Sequence, residues 1–414
     1  MRLAMFATFY PPFHFGGDAI FVYRLSHALA DQGHEVDVFH NEDAYRALSH
    51  GPPAAGYAEH PGVRRIALRS ALGMADLLAV QQAGRPVSHA SRLGDAFAPG
   101  RYDVVHFHNV SLMGAPELLR HAADTDAVSL LTLHDHWLVC PMHVLWRYDR
   151  EACEERTCVR CQLKGHRPPQ LWRYSTLRDR GIAALDAVLA PSEFTRKKHR
   201  ELGLKADARL LPHFVLPPVA AAAPARERQR PFFLFAGRLE RLKGAHTLIE
   251  AFRHFRGAEL LIAGDGSERA SLEALASGLD HVHFLGRLPA AELGRYYAGA
   301  RAALVPSLCY EVFGLSAVEA MAAGTPAVVR DLGALPELVR ESGAGFVYGE
   351  EAELIPILRR LTEDDTLRRD LSMRAAAAYG ARWTLERHLE RYYEIIANIR
   401  SHKRSRSASP AMHP

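Results

Sequence analysis

The chain contains no run of about twenty apolar residues, the length a helix needs to cross a bilayer core, so no membrane span is expected. The first strand-like segment lacks Gly-x-Gly-x-x-Gly, and Gly264-Asp265-Gly266 is followed by Arg269 where a third glycine would stand. That disfavours a dinucleotide oxidoreductase. No Gly-x4-Gly-Lys-Ser/Thr loop occurs, which removes the phosphate cradle of kinase and ATPase chemistry. Charge of one sign is also missing: 51 basic residues face 47 acidic ones, a net of +4, too weak a field to argue for nucleic acid. The opening apolar run meets Pro11 and Pro12 before it reaches signal-peptide length and reads as a first strand, so a cytoplasmic protein is expected.

What is present is a globular composition, 48% hydrophobic and 24% charged, in 414 residues. Single cores stop growing near ~250 residues, so two domains are expected. Short apolar strands alternate with helical patterns throughout, the mark of parallel sheets wrapped by helices, an α/β chain. Strands are expected at 3–7, 36–39, 104–107, 128–133 and 187–190, then at 232–236, 260–263, 282–285, 303–305 and 327–329. The prolines, alanines and charges of 213–230 suit an exposed linker between domains 1–212 and 231–383. A helical stripe over 384–400 is expected to pack back on the first domain, and the basic, Ser-rich tail 401–414 to be disordered.

Two segments carry chemistry. After the strand at 232–236 comes Gly237-Arg238-Leu239-Glu240-Arg241-Leu242-Lys243-Gly244 and then a helix. Free N–H groups and the dipole at a helix start favour anions, so Arg238 and Lys243 beside it suit a diphosphate as readily as a solvated loop. After the strand at 303–305, Gly324 and Pro326 end a short helix, which leaves Phe313, Gly314 and Leu315 at its unpaired N–H groups. Glu319 stands alone among small and apolar residues, which places it on a narrow exposed face or buries it with partners supplied by a ligand. Glu311 precedes it by eight positions, at the helix mouth. Two carboxylates around a helix start can grip vicinal hydroxyls while the N–H groups take phosphate.

These segments, with Pro11-Pro12, Gly16-Gly17, His134-Asp135, Ala190-Pro191-Ser192-Glu193-Phe194 and Ala263-Gly264-Asp265-Gly266, make the chain resemble a family 4 glycosyltransferase of the GT-B fold. The likeness runs to about residue 400, and the Glu-x7-Glu stretch is its most specific part. It implies two Rossmann-like, doubly wound domains facing across a cleft and transfer, with retention, of a hexosyl or N-acetylhexosaminyl group. The donor would be a nucleotide sugar, UDP- or GDP-linked, and the acceptor a sugar, glycan or lipid-linked molecule; no catalytic metal is expected. By the same resemblance Arg238 and Lys243 hold the diphosphate, Glu319 the ribose and Glu311 the sugar hydroxyls. Phe313, Gly314 and Leu315 add backbone contacts, and Arg287 and Leu288 border the base. Gly16 and Gly17 approach the diphosphate, and His134 touches the sugar near the reacting carbon. A phosphorylase, an epimerase or a non-catalytic sugar-nucleotide-binding protein of the same fold are the alternatives.

Four of the five cysteines, Cys140, Cys153, Cys158 and Cys161, fall in an insertion-like segment near 140–165. In a cytoplasmic protein such grouping favours a structural zinc over free thiols, with an iron–sulfur cluster as a third reading. Arg167, Trp172, Arg173, Tyr174, Arg178 and Arg180, followed by Arg196, Lys197, Lys198 and Arg200, interleave basic and aromatic residues. They suit either ordinary solvated helix faces or peripheral contact with an anionic membrane.

Overall fold

A computed structural model describes residues 1–49, 51–218 and 230–408. The first domain is built on β1 (Arg2–Ala7), β2 (Glu35–Asn41), β3 (Val63–Leu68), β4 (Val104–Phe107) and β5 (Val128–Thr132). A small hairpin of β6 (Trp146–Arg147) and β7 (Glu151–Ala152) follows, then β8 (Ala187–Ala190) and β9 (Arg209–Leu210). The second domain carries β10 (Phe232–Ala236), β11 (Glu259–Ala263), β12 (Val282–Gly286), β13 (Ala303–Val305), β14 (Ala327–Arg330) and β15 (Gly345–Tyr348). Leu3, Met5 and Phe6 of β1 and Phe233 and Leu234 of β10 are fully buried, because helices cover both faces of a parallel sheet and leave no solvent side for polar alternation.

The sheets are parallel, ordered β3-β2-β1-β4-β5-β8-β9 and β12-β11-β10-β13-β14-β15. In each the winding reverses once, between β1 and β4 and between β10 and β13. Loops leaving the carboxyl ends of strands diverge at such a reversal and open a crevice, where ligands of this architecture bind. The doubly wound α/β arrangement expected from the sequence is the one observed. Strands β3, β9 and β15 were not expected: each lies at a sheet edge, and Arg64 and Arg65 interrupt the apolar signal of β3.

The chain returns to its first domain at the end. In the helix Leu385–Ala408, Leu389, Tyr392, Ile396 and Ile399 pack with Leu3, Met5, Val104 and Leu130 on one face of the first sheet. The Tyr392 hydroxyl lies 3.1 Å from His106 Nδ1, and Lys403 reaches Asp186 at 2.6 Å. The expected disordered tail is therefore corrected: helix continues to Ala408, because Arg400 and Lys403 find Asp103 and Asp186; residues 409–414 lie outside those described. The exposed linker is corrected at its start, where His213, Phe214 and Val215 are buried. There the Val215 N–H donates to Trp383 O at 3.0 Å and its carbonyl accepts from Tyr379 at 2.9 Å. Residues 219–229 of that linker lie outside those described.

The zinc expectation finds no support in the structure. Among the described residues no group of three or more His, Cys, Asp or Glu side chains is placed to hold a metal ion. Cys140 turns into the core, where burial pushes its thiol up to about 11, while Cys153 donates to Glu155 O at 3.4 Å. Cys158 and Cys161 begin a separate short helix, Cys158–Lys164. The basic-aromatic stretch is largely committed to internal partners. Arg173 lies over Trp172 and Trp137, with burial pulling its guanidinium down to about 10, Arg178 pairs with Asp179, and Arg196 and Lys197 share Glu193. No helix among the described residues is long and apolar enough to cross a membrane.

Candidate active site

The second-domain wall begins where β10 ends. Gly244 takes φ 75°, and a Cβ there would stand 2.1 Å from Pro306 O, so only glycine lets this turn close. The turn delivers Lys243 Nζ to within 2.6 Å of Glu311 Oε1, which also accepts from Ser307 Oγ at 2.7 Å. Burial pushes the Glu311 carboxyl up, but Lys243 and Ser307 outweigh it and hold it below the usual range. Lys243 mirrors this: burial pulls its ammonium down and Glu311 more than restores it. The two are thus a charged pair, and both side chains keep an opening, 22% and 18% exposed. Arg238, at the mouth, is held by Glu240 at 2.6 Å.

The helix Leu315–Ala322 starts beside this pair. Its cap, Gly314, has φ 102°, and a Cβ there would meet Leu335 Cδ2 at 2.6 Å. The N–H groups of Phe313, Gly314, Leu315 and Ser316 have no partner among the described residues. They leave a patch of positive potential aimed into the cleft. One turn in, Glu319 is half-buried; burial raises its carboxyl, opposed by Arg24 from the first domain and by the Tyr297 hydroxyl 3.4 Å away.

The opposite wall is built from loops after β1, β4 and β5. Gly16 caps the helix Gly17–Asp31, and a Cβ on Gly17 would come 3.0 Å from Leu315 Cδ1, so a side chain here would crowd the second domain. His134 follows β5, and its Nε2 lies 2.9 Å from Nδ1 of His108, which follows the neighbouring strand β4. Its ring stacks on His213 at 4.8 Å. Burial pulls His134 down to about 4 against the opposing pull of Asp18 and Asp135, so it is neutral at neutral pH. Asp135 accepts from Trp137 N and from His143 Nδ1, both at 2.8 Å, and from Asn109 Nδ2 at 3.1 Å.

The walls enclose a cleft of about 500 Å³ lined by Gly16, Gly17, His134, Arg238, Lys243, Glu311, Phe313, Gly314, Leu315 and Glu319. Arg287 and Leu288 do not line it. They follow β12, the edge strand two removed from the reversal at β10; Leu288 packs on an apolar cluster, and Arg287 lies near His14 and Tyr57 of the first domain. Sequence reasoning missed Asp18, His136, His143 and Ser307, which also line the cleft. The available signal was position: polar side chains just past the carboxyl ends of buried strands β5 and β13.

Two parallel α/β domains with their winding reversals opening on one cleft define the GT-B architecture. The structure aligns with sucrose-phosphate synthase from Thermosynechococcus elongatus at TM-score 0.73 and 23% identity, covering 97% of this chain and 99% of the other. It aligns with Anabaena HepE in complex with UDP and glucose at TM-score 0.67 and 19% identity, covering 96% and 100%. Residues 15–217 match the profile of Glycosyltransferase Family 4, and residues 220–378 that of Glycosyl transferases group 1. Glycogen synthase of Mycobacterium tuberculosis is 30% identical over 409 residues, 88% of this chain and 86% of that protein. The chain belongs to the group 1, family 4 glycosyltransferases.

Proposed function

We propose that the protein transfers a hexosyl or N-acetylhexosaminyl group, with retention, from a UDP- or GDP-sugar to a hydroxyl of a sugar, glycan or lipid-linked acceptor. The observation that carries this reading is the Lys243–Glu311 pair beside the free N–H groups of Phe313 to Ser316, facing neutral His134 across the cleft. HepE, of the same architecture, holds UDP and glucose, which favours the nucleotide-sugar donor.

In this reading Lys243, Arg238 and the helix start take the diphosphate, with Arg238 released from Glu240. Glu319 receives the ribose hydroxyls and Glu311 those of the sugar, while Gly16 and Gly17 admit the phosphates by their lack of side chains. Transfer breaks the bond between the anomeric carbon and the phosphate oxygen, and the electron pair leaves on the diphosphate, where Lys243 and the N–H groups stabilise it. The acceptor oxygen bonds to the same face of that carbon and gives its proton to the departing phosphate. His134, neutral, offers a hydrogen bond to the sugar and adds no charge that would oppose the cationic transition state. A thermal-shift panel of UDP- and GDP-sugars tests the reading: one donor is expected to raise the melting temperature, and the Lys243→Ala and Glu319→Ala proteins to lose that rise. Folded protein that responds to no donor overturns it.

A further inference from the structure

The loop that bears Glu311 is held in place from the other domain. Ser192 Oγ donates to Val312 O at 2.7 Å, and Thr195 Oγ1 donates to the same carbonyl at 2.9 Å. Two residues earlier, His136 Nε2 lies 3.1 Å from Tyr310 O. The Tyr310 ring stacks on Phe194 at 5.4 Å, with Lys198 Nζ 5.0 Å from its centroid. All five of these partners come from the first domain. Between them, the Glu311 carbonyl turns back to its own domain and accepts from Ala334 N at 3.0 Å. Ser192 and Thr195 are buried, so their hydroxyls are out of water, where a lost partner costs most.

This arrangement has a directional consequence. A trans peptide plane carries its C=O and N–H in opposite directions, so fixing Val312 O fixes the N–H of Phe313. That N–H is the first of the unpaired donors that open on the cleft. Fixing Tyr310 O likewise sets the plane that leads into Glu311. Adhesion between domains alone would not require that two hydroxyls converge on one carbonyl adjoining the donor wall.

We propose that Ser192 and Thr195 are positioning residues for the donor: reaching across the domain interface, they hold the Val312 carbonyl and thereby orient the Phe313 N–H and the Glu311 loop, so that the donor grip is complete only when the domains are closed. This rests on the donor site described above.

Thr195→Val is the sharpest test, since it removes one hydroxyl, keeps the shape and leaves the Ser192 helix cap to Thr195 N intact. Titration calorimetry with the sugar nucleotide that stabilises the wild type is expected to show a donor Kd raised about fivefold, the worth of one such bond. The acceptor KM at saturating donor should stay unchanged, and Thr195→Ser should restore donor affinity. Lys198→Ala, a partly exposed change that removes the cation over Tyr310 together with a surface ion pair to Glu201, is expected to weaken donor binding less but in the same direction, and it tests the idea even if Thr195→Val fails to fold. Small-angle scattering of Ser192→Ala/Thr195→Val without ligand should show a larger radius of gyration than wild type. A lower melting temperature with unchanged donor Kd in Thr195→Val and Lys198→Ala would overturn the proposal and leave a merely adhesive contact. Wild-type protein that binds no donor at all would instead remove the donor site, and this proposal with it.

Discussion

The two walls of the cleft are made from different materials. The second-domain wall is charged: Lys243 against Glu311, Arg238 at the mouth, and four free N–H groups at one helix start. The first-domain wall sets neutral histidine rings against it, with Asp18 and the His143-paired Asp135 beside them. Behind His134 lie His108, His106, His213 and His388, all held below the ordinary histidine range by burial. Burial drives these histidines neutral because even the pull of Asp18 and Asp135 on His134 does not repay its desolvation, whereas Lys243 and Glu311 repay each other. The contrast assigns charge recognition to one side and shape with neutral hydrogen bonding to the other.

The largest expected effect lies on the charged wall. Lys243→Ala should lower turnover by about 10²–10³-fold, the scale of removing one preorganised donor to a leaving oxyanion, while circular dichroism shows the fold intact; a loss under tenfold would break the comparison. Glu319→Gln should raise the donor Kd at least about tenfold, as expected for losing hydrogen bonds to a charged group, with a smaller change in kcat at saturating donor. On the neutral wall, His134→Ala should cut kcat by about tenfold, the order of one neutral hydrogen bond made in the transition state, and leave the affinity for free UDP or GDP unchanged. An equal loss of nucleotide affinity would place His134 at the phosphates and erase the distinction.

The smallest effect is on stability. His134 and His388 titrate near 4 in the folded protein against 6.5 when unfolded. Between those values the unfolded chain binds more protons, so stability is full above pH 6.5 and falls as pH drops toward 4. Glu311, held below the usual carboxylate range, contributes stability that persists above that range and is lost only as pH falls through it. Acid sensitivity above pH 5 should therefore appear first in the fluorescence of Trp137, Trp146 and Trp172, which lie in the first domain. His388→Gln should lessen it.

The second-domain wall was the more legible from sequence because its parts are near neighbours along the chain. Glu311 and Glu319 flank one helix start, and Arg238 and Lys243 one turn, so spacing alone puts them together. The first-domain wall was less so. His143 and Asp18 reach the cleft from separate elements, with His108 behind His134, and a histidine at a strand end looks the same whether it lines a site or a core. The cysteines show the opposite failure. Closeness in sequence suggested a shared ligand; the fold keeps the four thiols near one another but buries Cys140 and sets Cys158 and Cys161 on a short helix, without a group of three placed to hold a metal among the described residues.

The sequence by itself determined the two parallel sheets, because uninterrupted apolar strands between helical patterns have no other way to bury both faces. It also made the charged turn and the helix mouth of the second domain possible, since the positive φ and close approach at 244 and 314 admit only glycine. Only the tertiary structure decided that His106, His108, His134 and His213 form one chain of ring contacts at the first-domain wall, and that Ser192 and Thr195 hold a carbonyl more than a hundred residues away. Those contacts depend on how two separately folded surfaces meet, and no local periodicity or spacing encodes that meeting.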